Sequence, residues 1–430
     1  MKNLMKAVFA ASVIGASVAA TAHDMVPGEP QQQPILLQGG TLYTITNGIQ
    51  EDTDLLFAEG KITAIGRDLA APENAQVIDV TGKHIYPGLI ALDTTLGLVE
   101  IGAVRATDDQ DEVGNITPEV SGHTAYNPDS EVIPTIRYNG ITHAQIVPQG
   151  NLIMGRSSLL QTDGWTYEDA GEALNVGVHV SWPRTGLNTA WWERRSPEEQ
   201  RKANAEALAE LKQAFIDARA YYDAKQAGEL NGTDLRWEAM TGLFDGSSTL
   251  FVHANDKRQM EQAIDFSQEH GFELVLMGAR DAWRMTEQLA AAEVPVVYGA
   301  MYGLPSRHDE AYDQAYATPA ALAAAGVNFA LSYPGYWDIR NLAFAAGNSV
   351  AYGLDHATAL EAITLKPAQV MGVADKVGSL EVGKQASLVV SEGDILNHLE
   401  QDIQWMFIDG SLVDLNNRHM QLYKKYQQKP

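Results

Sequence analysis

The sequence predicts an α/β protein: a (β/α)8 TIM-like barrel carrying a small β-sandwich assembled from N- and C-terminal segments. Three observations predict it. Short alternating segments with Gly-containing turns fill residues 35–86, eight apolar strand candidates alternate with helical stretches over residues 87–377, and strand character returns over residues 378–415.

The first β layer is read from Ile35-Leu36-Leu37-Gln38, Thr41 to Thr46, Asp54 to Ala58, Lys61 to Ile65 and Gln76 to Val80, with turns at Glu59-Gly60 and Thr81-Gly82. The barrel strands are read, in order, from His84 to Asp93, Ile141 to Pro148, Leu152 to Thr162, Asn175 to Trp182, Thr249 to Ala254, Glu273 to Gly278, Pro295 to Ala300 and Asn328 to Tyr333. Between them, Ser196-Pro197-Glu198-Glu199 opens a helix with a cap, a proline in the first turn and a glutamate at the third position. Leu208, Leu211, Phe215, Ala218 and Tyr222 give that helix a buried face, and Gly228 stops it. Lys257 to His270, closed by Gly271, and Pro319 to Ala325, closed by Gly326, repeat the scheme. Past the barrel, Gly378 to Val390, Ile403 to Ile408 and Ser411 to Val413 complete the β layer, and the polar residues 416–430 read as a loosely held tail.

At the other end, Lys2 and Lys6 precede an apolar run from Ala7 to Ala19 and then Ala20-Thr21-Ala22. This is a signal-peptide pattern over residues 1–22, so a periplasmic or secreted location is expected, with no membrane span after cleavage. Cysteine is absent, which excludes disulfides and thiolate chemistry. The formal net charge is −25, and loss of the leader with its two lysines makes it −27. A surface so acidic repels nucleic acid, leaving small-molecule or protein partners.

No Gly-rich phosphate loop, His-Glu-x-x-His helix or Gly-x-Ser-x-Gly elbow occurs, so chemistry is sought at the barrel mouth. The cluster Thr107-Asp108-Asp109-Gln110-Asp111-Glu112 lacks the spacing of a calcium loop and reads as a solvated segment. Trp182, Trp191, Trp192, Arg194 and Arg195 follow the fourth strand, Arg307 and His308 the seventh, and Asp338 the eighth. Loops at those places build pockets in barrels, so Trp182, Arg307, His308 and Asp338 are candidates for substrate contact.

The stretch Pro87-Gly88-Leu89-Ile90-Ala91-Leu92-Asp93-Thr94-Thr95-Leu96-Gly97-Leu98 resembles the first barrel strand of the amidohydrolase superfamily. Asn127-Pro128-Asp129-Ser130, Asn139-Gly140-Ile141-Thr142 and Ala321 to Val327 extend the likeness, which is nearest the imidazolonepropionase-related branch. The resemblance implies hydrolysis of amide or cyclic amide C–N bonds. It also implies one or two zinc ions held by a strand-one His-x-His pair, a Lys or Glu on strand four and a His on each of strands five and six, with an Asp on strand eight relaying the proton.

Carried over by position, Asp93 and Thr95 replace the strand-one pair, His253 matches strand five, Met277 replaces the strand-six histidine and Tyr333-Pro334 the strand-eight Asp. Strand four carries His179 but no Lys or Glu at its end, and alternation points His179 toward either the barrel interior or the helix layer. His253 and Asp93 are the catalytic candidates and His179 a substrate contact. Zinc is expected only if Asp93, His179 and His253 form a rearranged site. Three readings stay open: a hydrolase with that site or with His253 as metal-free general base, a retired relative that binds ligand without turnover, and an oligomer or complex with an intact homologue.

Overall fold

The structure, a computed structural model, describes residues 25–430; the leader expected over residues 1–22 lies outside the described residues. The chain enters a sheet through β1 (Ile35–Tyr43), β2 (Ile49–Ala58), β3 (Lys61–Gly66), β4 (Gln76–Asp79) and β5 (His84–Pro87). It then builds a second sheet from β6 (Leu89–Thr94), β7 (Ile141–Ile146), β8 (Ile153–Gln161), β9 (Gly171–Ser181), β10 (Thr249–Ala254), β11 (Leu274–Gly278), β12 (Val296–Tyr298) and β13 (Phe329–Leu331). It returns to the first sheet with β14 (Leu388–Ser391), β15 (Ile403–Ile408) and β16 (Ser411–Leu412).

The first sheet runs β16-β15-β14-β5-β1-β2-β3, with β4 also on β1, so both chain ends contribute as expected. It is one continuous sheet rather than two facing ones. Its β3 edge curls back toward the segment that leads into β14, where the Ile62 N–H donates to the Lys384 carbonyl (2.9 Å). The enclosed core includes Leu37, Leu55, Phe57, Ile85, Leu388 and Phe407.

The second sheet runs in chain order from β6 to β13 and closes into a barrel through a Thr94–Gly335 bridge and a hydrogen bond from Ser332 Oγ to the Leu92 carbonyl (2.8 Å). Seven of its strands share one direction, but β8 runs antiparallel to both neighbours, so the expectation of eight parallel βα units needs correction at the third. The reason is length. A parallel crossover needs a dozen or more residues, and only residues 147–152 separate β7 from β8.

The expected first strand, His84 to Asp93, is also divided. Its first half belongs to the curled sheet and its second to the barrel, with Gly88 at the crossing. A Cβ on Gly88 would lie 2.1 Å from Thr142 Oγ1. Gly88→Val is therefore expected to destabilise the fold by about 3 kcal/mol or more, because the clash sits between two sheets that cannot separate locally. A thermal midpoint unchanged from the parent would refute this.

Alternation sorts the barrel residues. Leu89, Ala91, Val178, Val180, Leu250, Val252 and Leu276 pack outward under the helices, while Ile90, Leu92, Leu159, Phe251, Val275, Met277 and Val297 fill the interior. The helix Pro197–Ala227 begins with the full Ser196–Glu199 capping box and ends at Gly228 (φ +72°). The helix Gln314–Ala324 starts earlier than expected and keeps Pro319 inside it. The carbonyl that Pro319 cannot bond, that of Ala315, accepts the Tyr298 hydroxyl instead (3.1 Å). The expected loose tail contains a helix, Arg418–Gln427, capped by Asn417. Among the described residues no helix is long and apolar enough to cross a membrane.

Candidate active site at the barrel mouth

Interior positions on β7 to β10 place Gln145, Ser157, His179 and His253 on one side of the barrel, facing the apolar side chains of Met277 and Val297. His179 is fully buried and points inward, stacked on Phe251 with ring centroids 4.6 Å apart. Met277 pairs in register with His253 and lies in the apolar interior cluster, which it fills with a flexible thioether.

Asp93 reaches this group by a backbone irregularity. Strict alternation would turn it outward with Leu89 and Ala91. Instead its φ is +58° and the β6–β7 register shifts between Ala91 and Thr94, a bulge that aims the carboxylate into the mouth. Asp93 is 7% exposed, and its Oδ1 lies 3.8 Å from His253 Nδ1.

The polar atoms form a nearly closed ring. The Asp93 N–H donates to Gln145 Oε1 (3.0 Å), and Gln145 Nε2 donates to Ser157 Oγ (2.9 Å). Ser157 Oγ is 2.7 Å from His179 Nε2, and His179 Nδ1 is 2.9 Å from His253 Nε2. Gln145 Nε2, which can only donate, also lies 3.5 Å from His179 Nε2, so that nitrogen accepts and the Ser157 proton goes to it. The His179 proton then sits on Nδ1 and is donated to His253 Nε2, so His253 carries its proton on Nδ1, toward Asp93. The opposite order would set a bare His253 nitrogen against a carboxylate.

Burial holds His179 well below the ordinary histidine range, reinforced by the neighbouring His253. Burial lowers His253 as well, opposed by the Asp93 charge. Both imidazoles are therefore neutral at pH 7. At the barrel floor, burial lowers His143 to about 4, against the pull of Glu172.

His143 carries a pH prediction. The unfolded chain binds a proton there near pH 6.5, whereas the folded chain resists it down to about pH 4. Stability is full above pH 6.5 and declines as pH falls through that window, by on the order of 2 kcal/mol at pH 5. His143→Gln is expected to flatten the thermal midpoint between pH 7 and pH 5. An equally steep decline in the variant would exclude His143 as its source.

The three expected zinc donors do meet, yet their geometry does not suit one ion. Asp93 lies at Nδ1 of His253 and His179 at Nε2, and these two lone-pair axes diverge. The second nitrogen of His179 is bonded to Ser157. Among the described residues no group of three or more His, Asp or Glu side chains is arranged to hold a metal.

A cleft of about 630 Å³ opens above His253 at the C-terminal ends of β9 to β11, bordered by Trp182, Arg184, Asp256, Arg280, Asp281 and Arg307. A cavity of about 670 Å³ lies at the opposite barrel end, beside Asn175, Ser248 and Glu273. That floor cavity is lined by neither His179 nor His253, whereas the mouth cleft reaches His253, so the mouth is the candidate site.

Among the expected contacts, Arg307 borders the cleft but is held by Asp281 and Glu310. Trp182 borders it too, though its indole N–H donates to Gln262 in the helix layer (3.0 Å). Exposed His308 and Asp338, the latter paired with Arg340 at 3.8 Å, lie outside the lining. Sequence reasoning passed over Gln145, Ser157, Arg184 and Arg280. The signal for the first was an amide side chain in the middle of the strand candidate Ile141 to Pro148.

The sequence profile of the amidohydrolase family matches residues 161–414, more than half of the chain, and the chain belongs to that family. It is 24% identical over 402 residues to the amidohydrolase TasK of Hapsidospora irregularis, a match covering 83% of this chain but 39% of that protein. Over 91 residues it is 38% identical to the dihydroorotase of Mycobacterium tuberculosis, covering 21% of this chain and 19% of the relative. The chain thus spans well under half the length of these relatives. An amidohydrolase structure from Thermotoga maritima superposes with a TM-score of 0.78 at 26% identity, covering 88% of this chain and 99% of that one. Molinate hydrolase, at TM-score 0.55 and 16% identity over 90% of this chain and 95% of its own, shares the fold.

Proposed function

We propose that this member of the amidohydrolase family is an exported protein that engages a small amide or cyclic amide at its barrel mouth and hydrolyses the C–N bond slowly, without a divalent ion. The observation that carries this reading is the bulged Asp93 set beside the protonated nitrogen of His253 at 3.8 Å, so that one reacting oxygen placed alongside can hydrogen-bond to both. The resemblance to the imidazolonepropionase-related branch and the dihydroorotase similarity favour a cyclic amide.

In this arrangement His253 is not the general base. Its Nε2 is occupied by His179 and its Nδ1 bears the proton, so the base is Asp93. Asp93 takes a proton from water as the oxygen attacks the carbonyl carbon. His253 Nδ1–H donates a hydrogen bond to the oxyanion, and the proton on Asp93 passes to the departing nitrogen. Forgoing a Lewis acid costs several kcal/mol of transition-state stabilisation, so turnover is slow.

A second reading, ligand binding without turnover, draws on the mutual engagement of His179 and His253, which leaves one imidazole edge for chemistry. Incubating tag-free protein with hydantoins, dihydropyrimidines and linear N-acyl amides, with and without a chelator, separates the possibilities. Slow product formation indifferent to the chelator is expected. About one zinc per chain with chelator-sensitive turnover would end the metal-free mechanism. A ligand-induced rise in thermal midpoint with no product would favour the binder.

A further inference from the structure

All 55 acidic residues of this chain lie before Leu415, and residues 415–430 carry Arg418, Lys424, Lys425 and Lys429 with no acid among them. Most of that tail is the helix Arg418–Gln427. Its start is fixed to the body. The Asn417 side chain accepts the Met420 N–H (3.1 Å), the His419 ring meets Trp337 edge-on with centroids 5.4 Å apart, and Met420 and Leu422 are half-buried. The rest of the helix surface is open. Arg418, Tyr423, Lys424, Lys425 and Tyr426 are exposed, and among the described residues none of the four tail cations has an ion-pair partner.

The complementary charge lies on the same sector of the barrel rim. Asp108, Asp109, Asp111 and Glu112 follow β6, and among the described residues none of them pairs with a cation, the neighbouring Arg105 included. The backbone holds this segment as a fixed strip. The Asp109 N–H donates to the Leu98 carbonyl (2.9 Å) and the Gln149 N–H to the Gln110 carbonyl (2.6 Å), which leaves Asp109, Asp111 and Glu112 exposed and Asp108 half-buried. The loop that carries the strip adjoins the loop that holds the tail. The Thr95 N–H donates to the Gly335 carbonyl (3.2 Å), a Cβ on Gly102 would lie 3.8 Å from Tyr336 Oη, and the next residue, Trp337, meets His419.

We propose that the helix Arg418–Gln427 docks on the segment 107–112 of a second copy of this chain, and reciprocally, to form a two-fold dimer beside the barrel mouth. A two-fold interface needs each copy to present both complementary patches on one side, and this sector of the rim does so with four cations and four carboxylates. Arginine and tyrosine, which stand open on the helix, are residues that interfaces favour. The net charge of −25 does not prevent the contact, because at physiological salt repulsion between exposed charges fades beyond about 8 Å while the facing patches touch. That same charge disfavours an anionic membrane or a nucleic acid, which would repel the acidic body and offer it no cation in return. Residues 418–430 and 107–112 supply thirteen and six residues from each copy. This falls just under the roughly 20–30 residues a side of a standard interface, so the dimer is reversible, with a Kd on the order of 10 µM.

The experiment is sedimentation velocity on the full chain over roughly 1–100 µM. A concentration-dependent dimer is expected in about 0.15 M salt and a monomer in about 1 M salt. Two charge reversals at exposed positions, Lys424→Glu with Lys425→Glu in the tail and Asp111→Lys with Glu112→Lys in the segment, should each weaken the dimer about tenfold or more while leaving the thermal midpoint unchanged. Mixing the two variants is the decisive arm, because each reversed patch then meets its opposite on the other chain and the heterodimer should return. A monomer at every concentration, a dimer unmoved by either reversal, or variants that stay monomeric when mixed would each overturn the proposal. So would binding to phosphatidylglycerol vesicles through Lys424 and Lys425 by a chain that remains monomeric.

Discussion

Asp93→Asn is expected to reduce turnover of the C–N substrate by about 10²-fold or more while leaving the fold intact. Asparagine has nearly the same shape and, like aspartate, tolerates the left-handed backbone at position 93, where φ is +58°. The N–H bond to Gln145 is a main-chain contact and survives. What disappears is the proton acceptor, together with the charge that opposes the fall in the affinity of His253 for protons. Asp93→Ala should lose the same activity and add a stability cost of about 1 kcal/mol or more, since alanine is strained at that φ. A companion change, Gln145→Glu, keeps the shape of the ring but removes the donor to Ser157. Ser157 would then give its proton to the glutamate and His179 would reverse its tautomer, placing an unprotonated His253 Nδ1 against Asp93. Nitrogen-15 imidazole spectra read this directly. Unchanged His253 tautomer signals in Gln145→Glu, or full activity in Asp93→Asn, would refute the assigned roles.

The gross fold was legible because alternation and capping are local. Ser196 through Glu199, Gly228 and Gly271 end their helices where residue chemistry requires, and the runs at Thr249 and Leu274 are buried strands. Direction was less legible. Reversal of β8 depends on a connection too short for a crossover, which a strand-by-strand reading of apolar runs does not weigh. The division at Gly88 depends on how close Thr142 approaches from another element. The site divides in the same way. Asp93, His179 and His253 stood out as polar residues in apolar strands, and they do converge. Whether they act as a hydrogen-bonded chain or as a set of metal donors turns on which nitrogen faces which neighbour, a property of rotamers that a residue-by-residue reading does not reach. Gln145 and Ser157 acquire their importance only through those contacts.

Arg137→Met is expected to cost about 3–5 kcal/mol of stability, the larger of the two effects on the fold, because it leaves Asp163 buried without its guanidinium. The two side chains are 4% and 8% exposed, and the pair joins the helix Ile133–Arg137 to the turn that follows β8. Asp163 Oδ2 also accepts the Gly28 N–H (2.9 Å), so the same carboxylate anchors the start of the described chain. An exposed pair provides the contrast. Lys202 and Glu206, at 76% and 68% exposure, lie 3.8 Å apart on the long helix. Lys202→Ala should change stability by about 0.5 kcal/mol or less, since solvent screens the pair and holding it ordered costs side-chain entropy. The difference bears on the site, because β8 and β9 carry Ser157 and His179 and form the hairpin whose turn Asp163 holds. Loosening that turn should therefore lower activity at temperatures below the midpoint as well as the midpoint itself. If Arg137→Met lowers the denaturant midpoint no more than Lys202→Ala, the buried pair does not anchor the hairpin.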